Sequence, residues 1–390
     1  MGNKPKLLFA SPFPPLKSGI SDYSVALVKA LGKEFDITLY TDNYEVTDEA
    51  LKDYPKLKYW VDDVDFDSFD YRIYNIGNQP GFHSYIYDVA ITHPGLIIMH
   101  DFMLYFLFVG YYLKKDDLYS QTYHKEGLEG FLEIKRAVKS HGTDLLEQKE
   151  MAPTLAFNRE LISAGNKIMV HSEYSKNKIL ETGLIKEENI RKINHLSLMS
   201  EKETFLEKER LFAKYNIPTD AFIVASFGYI AETKLNREVC EAVKNLAASG
   251  AGKICYVMAG DGEYVDDELQ RDLVIKTGYT NLEEFNSFIK HSDVIVNLRN
   301  PSMGETSGAM IRILQTGKVC ITNTGGWFSE LPNDCVVKIG LDNVVDNLTE
   351  TIKDFIDHPE KKTEMEKNAT DYIKREYSPE VIVEKIKEFI

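Results

Sequence analysis

Residues 303–312, MGETSGAMIR, place one carboxylate, Glu305, ahead of Thr306, Ser307 and Gly308, after which an apolar run begins. In its setting, VIVNLRNPSMGETSGAMIRILQTGK, the stretch reads as strand, loop and helix, with Thr306 or Ser307 at the cap. A helix N-terminus leaves N–H groups unbonded and carries about half a positive charge, so it attracts anions. Small residues at that spot let a ligand come close to the backbone. A phosphate fits there, and Glu305 beside it can accept hydrogen bonds from sugar hydroxyls. The competing reading is an ordinary capped helix with an exposed glutamate.

Other residues of the same kind recur. Lys234 follows Gly228 by six positions in FGYIAETKLNREV, where its amine could reach a pyrophosphate; otherwise it is a solvated lysine. AGDGE carries Gly262 in a tight turn and NTGGW offers a second glycine turn. Each alone is a weak signal, but each ends an apolar run in the same half of the chain. In the first half, PFPPLKSGISDYS brings Gly19 to a helix start, and MHDF puts His100 and Asp101 at a strand end. Either could meet a sugar or act on an acceptor hydroxyl, and a buried histidine is the bland alternative for His100. His83, His171 and His195 read as structural. The D-x-D spacings of DDVDFD lie in an acidic stretch and read as a solvated loop. There is no zinc spacing of His and Cys, no G-x-G-x-x-G after the first strand, no G-x-S-x-G and no P-loop. No metal site is expected.

The elements that would hold these residues alternate. KLLFA, the helical SDYSVALVKALG with Ser21 as N-cap and Gly32 as stop, and FDITLYT form a β-α-β opening. YRIYNIGN, GLIIMHD and KIMVHS read as further strands, the last after a helical middle over about 115–165. The charged segment 200–220 marks a change, after which FIVASFGYI, a helix around 238–248, KICYVMAG, LVIKTGY, LEEFNSFIKHSD, VIVNLR and KVCITN restart the alternation. This predicts an α/β chain of two Rossmann-like domains, 1–200 and 201–377, with the amphipathic tail 378–390 packing back on the first. In open α/β sheets ligands bind at the carboxyl ends of the strands.

A net charge of −15 over 390 residues disfavours a nucleic-acid partner. Hydrophobic content of 43% supports real cores. Four widely spaced cysteines, with Cys255 and Cys320 inside apolar runs, fit a reduced, cytoplasmic protein. The start MGNKPKLLFASPFPP lacks the apolar core of a signal peptide. The run FMLYFLFVGYYL is about half the length of a membrane span, ~20 residues; followed by Lys114 and Lys115 it could touch a membrane or lipid acceptor, at the inner face, or be a core helix.

In order along nearly the whole chain, the P-P-x-x-S-G near the start, GLIIMHDF, KIMVHSEYSK, SFGYIAETK, AGDG and NLRNPSMGETSGAMIRILQTGKVCITNTGGWFSELP resemble the GT-B retaining glycosyltransferases of family four (glycosyl transferases group 1). The resemblance implies two Rossmann-like domains facing across a cleft. It implies a nucleotide-diphosphate sugar (UDP-, GDP- or dTDP-sugar) on the C-terminal domain and a saccharide or lipid-linked acceptor on the N-terminal one. Transfer would be metal-independent and without a cofactor, as in surface polysaccharide or glycoconjugate synthesis. In that picture Lys234 and the amides at Ser307 and Gly308 meet the diphosphate, Glu305 meets the sugar, Gly19 closes from the other domain, and His100 contacts sugar or acceptor, with Asp101 beside it. Thr306, Gly228 and Gly262 complete the donor site. Two departures stand out. The family's arginine after the first C-domain glycine is Tyr229 here. Its paired glutamates map onto Gly304 and Arg312, with Glu305 one place over; Arg312 is then either a replacement charge for the donor or a surface cation. These departures keep open a non-catalytic GT-B-like subunit that binds glycan or protein.

Overall fold

The computed structural model describes residues 4–142, 144–146, 155–199 and 203–390. The chain forms two compact units. The first comprises Met1–Leu196, Met303–Thr306 and Pro379–Ile390, the second Ser197–Ser302 and Ser307–Ser378. The expected boundary at residues 200/201 lies outside the described residues, as do 143 and 147–154 of the expected helical middle.

In the first unit seven parallel strands run β1 (Lys6–Ala10), β2 (Asp36–Thr41), β3 (Lys56–Lys58), β4 (Tyr71–Ile76), β5 (Leu96–Met99), β6 (Lys167–Val170) and β7 (Ile190–Lys192) along the chain. In space their order is β3-β2-β1-β4-β5-β6-β7. The order reverses between β1 and β4, the kind of switch point where such sheets bind ligands. The second unit carries β8 (Phe222–Phe227), β9 (Ile254–Ala259), β10 (Val274–Lys276), β11 (Val294–Val296), β12 (Cys320–Asn323) and β13 (Val337–Ile339), ordered β10-β9-β8-β11-β12-β13. Its switch lies between β8 and β11. Helices cover both faces of each sheet, so central strands such as β9 are buried at every position and read as apolar runs rather than alternating ones. All four cysteines are buried and free.

Several local expectations are corrected. The first helix is Gly19–Leu31, and its N-cap is Ser18 rather than Ser21: the Ser18 hydroxyl accepts from the Ser21 N–H at 3.1 Å. The cap sits earlier because Gly19 and Ile20 already adopt helical geometry. The described part of the expected helical middle is helical and made of several elements. Helices Tyr105–Lys114 and Gly127–His141 are separated by the short helix Leu118–Gln121 and a π-helical turn, Thr122–Glu126, which ends at Gly127 with φ +78°. The aromatic run 102–113 is a core helix: Tyr105, Leu107, Phe108, Val109, Tyr111 and Tyr112 are buried, and Leu113 is its exposed member. Among the described residues no helix is long and apolar enough to cross a membrane. The tail helix Pro379–Lys387 belongs to the first unit, where Ile382, Val383 and Ile386 are buried and Glu380 and Lys387 pair with Lys33 and Glu34.

Candidate active site

The carboxyl ends of the strands in the first unit carry a buried polar cluster. His100 follows β5, His171 follows β6 and His195 follows β7, and Tyr23 from the first helix packs among them. Its ring lies 4.9, 5.4 and 4.4 Å from those of His100, His171 and His195. Burial, and then the neighbouring imidazoles of His171, His195 and His83, hold His100 well below the usual histidine range, so it is neutral. Burial likewise lowers His171 to about 4. Tyr23 and His171 keep a buried hydroxyl and a buried Nε2 with no hydrogen-bond partner among the described residues. His100 is partly exposed and its Nε2 is 2.8 Å from Asn75 Oδ1.

Next to His100, Asp101 Oδ2 accepts from the Asn78 N–H at 3.0 Å. Burial, and then the Glu305 carboxylate, push Asp101 up to about 7. Glu305 lies on the segment Met303–Thr306, which two bonds tie to the rest of this unit and a third closes on itself. Met103 N–H donates to Met303 O (3.2 Å), Ser175 Oγ donates to Gly304 O (2.8 Å), and Glu305 Oε2 accepts from Met303 N–H (2.7 Å). Gly304 has φ +83°, and a Cβ there would lie 2.6 Å from Phe102 Cβ. A residue with a side chain cannot occupy position 304 without strain. Gly19, by contrast, would meet nothing within 4 Å if it carried a Cβ.

In the second unit Lys234 ends a single helical turn, Glu232–Lys234, and its amine curls back to donate to Phe227 O, the last carbonyl of β8, at 2.8 Å. Gly228, with φ +83°, brings the chain under that amine. The AGDG turn is tied alongside: Gly228 N–H donates to Ala259 O and Ile230 N–H to Asp261 O. A Cβ on Gly262 would sit 2.4 Å from Ile230 O, so this glycine is required by its own neighbours.

The helix Gly308–Gln315 is capped by Ser307, not Thr306. The Ser307 hydroxyl accepts from Met310 N–H (3.2 Å) and from Asn297 Nδ2 (3.1 Å). The hydroxyl thus satisfies the third N–H of the helix. The Gly308 and Ala309 N–H groups have no partner among the described residues. Arg312 is only 5% exposed on the inner face of this helix, which rules out a surface cation, and Tyr229 is 63% exposed.

Two residues that sequence reasoning passed over also lie at these edges. Arg299 ends the loop side of β11, with its N–H held by Asn323 Oδ1 (2.8 Å), while Asn300 N–H donates to Thr233 O (2.8 Å) beside Lys234. The second is Asn75, a polar residue inside the apolar strand β4. In each case the signal was present: a polar side chain at the carboxyl end of a buried strand. A cavity of about 560 Å³ in the second unit, lined by Asn216, Ala221, Lys253 and Arg271 among others, lies at the opposite, amino-terminal ends of β8 and β9.

No protein-family model matches the chain, and no curated protein sequence does. Solved structures match over essentially full length. HepE of Anabaena, solved in complex with UDP-glucose, has 13% identity, 98% of each chain covered and a TM-score of 0.62. A glycosyltransferase from Rickettsia africae has 14% identity, 99% of this chain and 98% of that one covered, and a TM-score of 0.62. Sucrose-phosphate synthase of Thermosynechococcus elongatus has 13% identity, the same coverages and a TM-score of 0.62. At such identity the likeness establishes the fold, GT-B, with its two parallel sheets.

Proposed function

We propose that the chain is a retaining glycosyltransferase moving one sugar from a nucleotide-diphosphate sugar to a saccharide or lipid-linked acceptor in surface polysaccharide or glycoconjugate synthesis. The observation that carries this reading is the pairing, at the carboxyl ends of β8 and β11, of a lysine amine folded over the strand end with two open helix amides. Cation and amides together suit a diphosphate. HepE, which shares the fold, was solved with UDP-glucose, and this supports a nucleotide-sugar ligand here.

In the proposed reaction the bond between the anomeric carbon and the phosphate oxygen breaks as the acceptor oxygen bonds to that carbon. The acceptor proton passes to the departing phosphate. Lys234, Arg299 and the Gly308 and Ala309 amides stabilise the charge that develops on the diphosphate, which is where preorganised donors lower a barrier most. Glu305 holds sugar hydroxyls and stabilises the electron-poor ring. His100 and Asp101 position the sugar or the acceptor hydroxyl. No cofactor and no metal is needed in this scheme, and the substrate is a UDP-, GDP- or dTDP-sugar.

A non-catalytic subunit is the second reading, favoured by one observation: Tyr229 is exposed at the position where the family that the sequence resembles has an arginine. Calorimetry with UDP, GDP and dTDP, followed by a panel of nucleotide sugars assayed for hydrolysis and transfer, decides between them. Binding and turnover of one donor support the enzyme; the absence of any nucleotide binding overturns it.

A further inference from the structure

The hydrogen bonds around Asn75 fix more than a contact. Asn75 is fully buried, and its Nδ2 lies 2.8 Å from Ser24 Oγ and 3.3 Å from Ser11 Oγ. Ser24 donates its one proton to the Ile20 carbonyl, 2.7 Å away within the first helix, and the Ser11 hydroxyl, which is hydrogen-bonded to Ser24 Oγ, is then the donor of that pair. The Ser24 oxygen can therefore only accept from the asparagine. If the amide were turned over, two oxygens with no proton between them would stand 2.8 Å apart in a buried site, a costly arrangement. Nδ2 therefore faces the serines, and Oδ1 faces His100. Since Oδ1 can only accept, the His100 Nε2 at 2.8 Å must carry a hydrogen.

The other nitrogen follows. In a neutral imidazole protonated at Nε2, Nδ1 holds a lone pair. His100 Nδ1 makes no hydrogen bond to the described residues, and the side chain is partly exposed at the carboxyl end of β5. The rings packed against it are Tyr23 from the first helix, His171 and His195; these two histidines and, through its charge alone, His83 disfavour a second proton on it.

We infer that Asn75 is a positioning residue, anchored by Ser24 and Ser11, that holds His100 in the tautomer whose Nδ1 accepts a hydrogen bond, so that this part of the site selects a neutral hydroxyl over a carboxylate or phosphate. An acceptor lone pair attracts the O–H of a sugar and repels an anionic oxygen. The inference deepens the transferase reading and rests on it only for the identity of the hydroxyl; the tautomer itself is a property of the free protein.

Two measurements test it. Long-range proton–nitrogen correlation spectra of histidine-labelled wild type should show, at pH 7, a His100 protonated at Nε2 and bare at Nδ1. A proton on Nδ1, alone or together with one on Nε2, overturns the inference without any variant having to fold. In Asn75→Asp a carboxylate faces Nε2–H and favours a second proton, converting Nδ1 from acceptor to donor. A raised pKa means the imidazolium populates as pH falls. Transfer by this variant should therefore drop about tenfold per pH unit below the raised pKa and recover above it, a limb absent from wild type. A purely structural role lowers activity equally at every pH, and a profile parallel to wild type overturns the inference. Failure of the transferase reading looks different: wild type transfers no sugar, while the spectrum still decides the tautomer.

Discussion

The two sheets end in opposite kinds of chemistry. At the carboxyl edge of the first, the groups nearest the strand ends are locked to one another: Asn75 to Ser24 and His100, Asp101 to Asn78, Gly304 to Ser175. At the same edge of the second, the chain presents open helix amides and the amine of Lys234, held over the strand end by the Phe227 carbonyl. The first edge is charge-poor and fixes lone pairs in place, which suits recognition of hydroxyls. The second gathers positive potential, which suits an anion. Each unit thus offers its own chemistry at its carboxyl edge.

The strongest way to break this contrast is Glu305→Gln. Transfer should fall about 100-fold or more, the cost of losing a preorganised charge at the reacting sugar, while nucleotide diphosphate affinity by calorimetry stays within about threefold. A matching collapse of nucleotide affinity would move Glu305 to the anion side of the comparison. Lys234→Ala should act the other way round, raising the dissociation constant for the nucleotide about 10- to 100-fold, as expected for one charged hydrogen bond of roughly 1.5–3 kcal/mol. Its affinity should also depend less steeply on salt.

Two glycines sharpen the comparison further. Gly304→Ala meets Phe102 in a left-handed conformation and should cost about 1–3 kcal/mol of stability, read from chemical denaturation. Gly19→Ala should stay within about 0.5 kcal/mol of wild type, because its Cβ meets open space, and should show its effect only in substrate binding. The smallest effect concerns Asp101. Its ordinary value is 3.8 and its folded value about 7, so in that interval the folded protein holds a proton that the unfolded chain has released. The stability this contributes is greatest at low pH and is lost as pH rises through 7. Asp101→Asn should flatten the fall in melting temperature between pH 4 and 7.5, with Glu126, also raised to about 7 by burial, retaining part of the slope.

Much of the architecture was legible because fully buried parallel strands print as unbroken apolar runs; FIVASF, ICYVMA and LIIM could hardly be read otherwise. The strands β3, β7 and β13 escaped because three residues at a sheet edge, with at most one of them buried, carry no pattern. At the site, the GETSG stretch announced a helix start, but which hydroxyl caps it depended on backbone geometry that Thr306 and Ser307 share in sequence. For Arg312 the sequence left two readings open, a replacement charge and a surface cation, because an arginine's ordinary place is solvent; the helix turns it inward, which removes the second. Asn75 and Arg299 were missed because their importance arises from neighbours brought together by the fold, sixty or more residues distant for Asn75 and Ser11.

The chain's threading has a practical corollary for anyone recombining proteins of this fold. The polypeptide passes from one unit to the other after residues 196, 302, 306 and 378. A chimera made with a single junction near residue 197 would leave each parent's Gly304 loop and terminal helix grafted onto foreign contacts, with Ile382 and Ile386 seeking a partner that evolved elsewhere. Working hybrids therefore call for four splice points, with the short Met303–Thr306 insert and the last twelve residues inherited together with the amino-terminal portion.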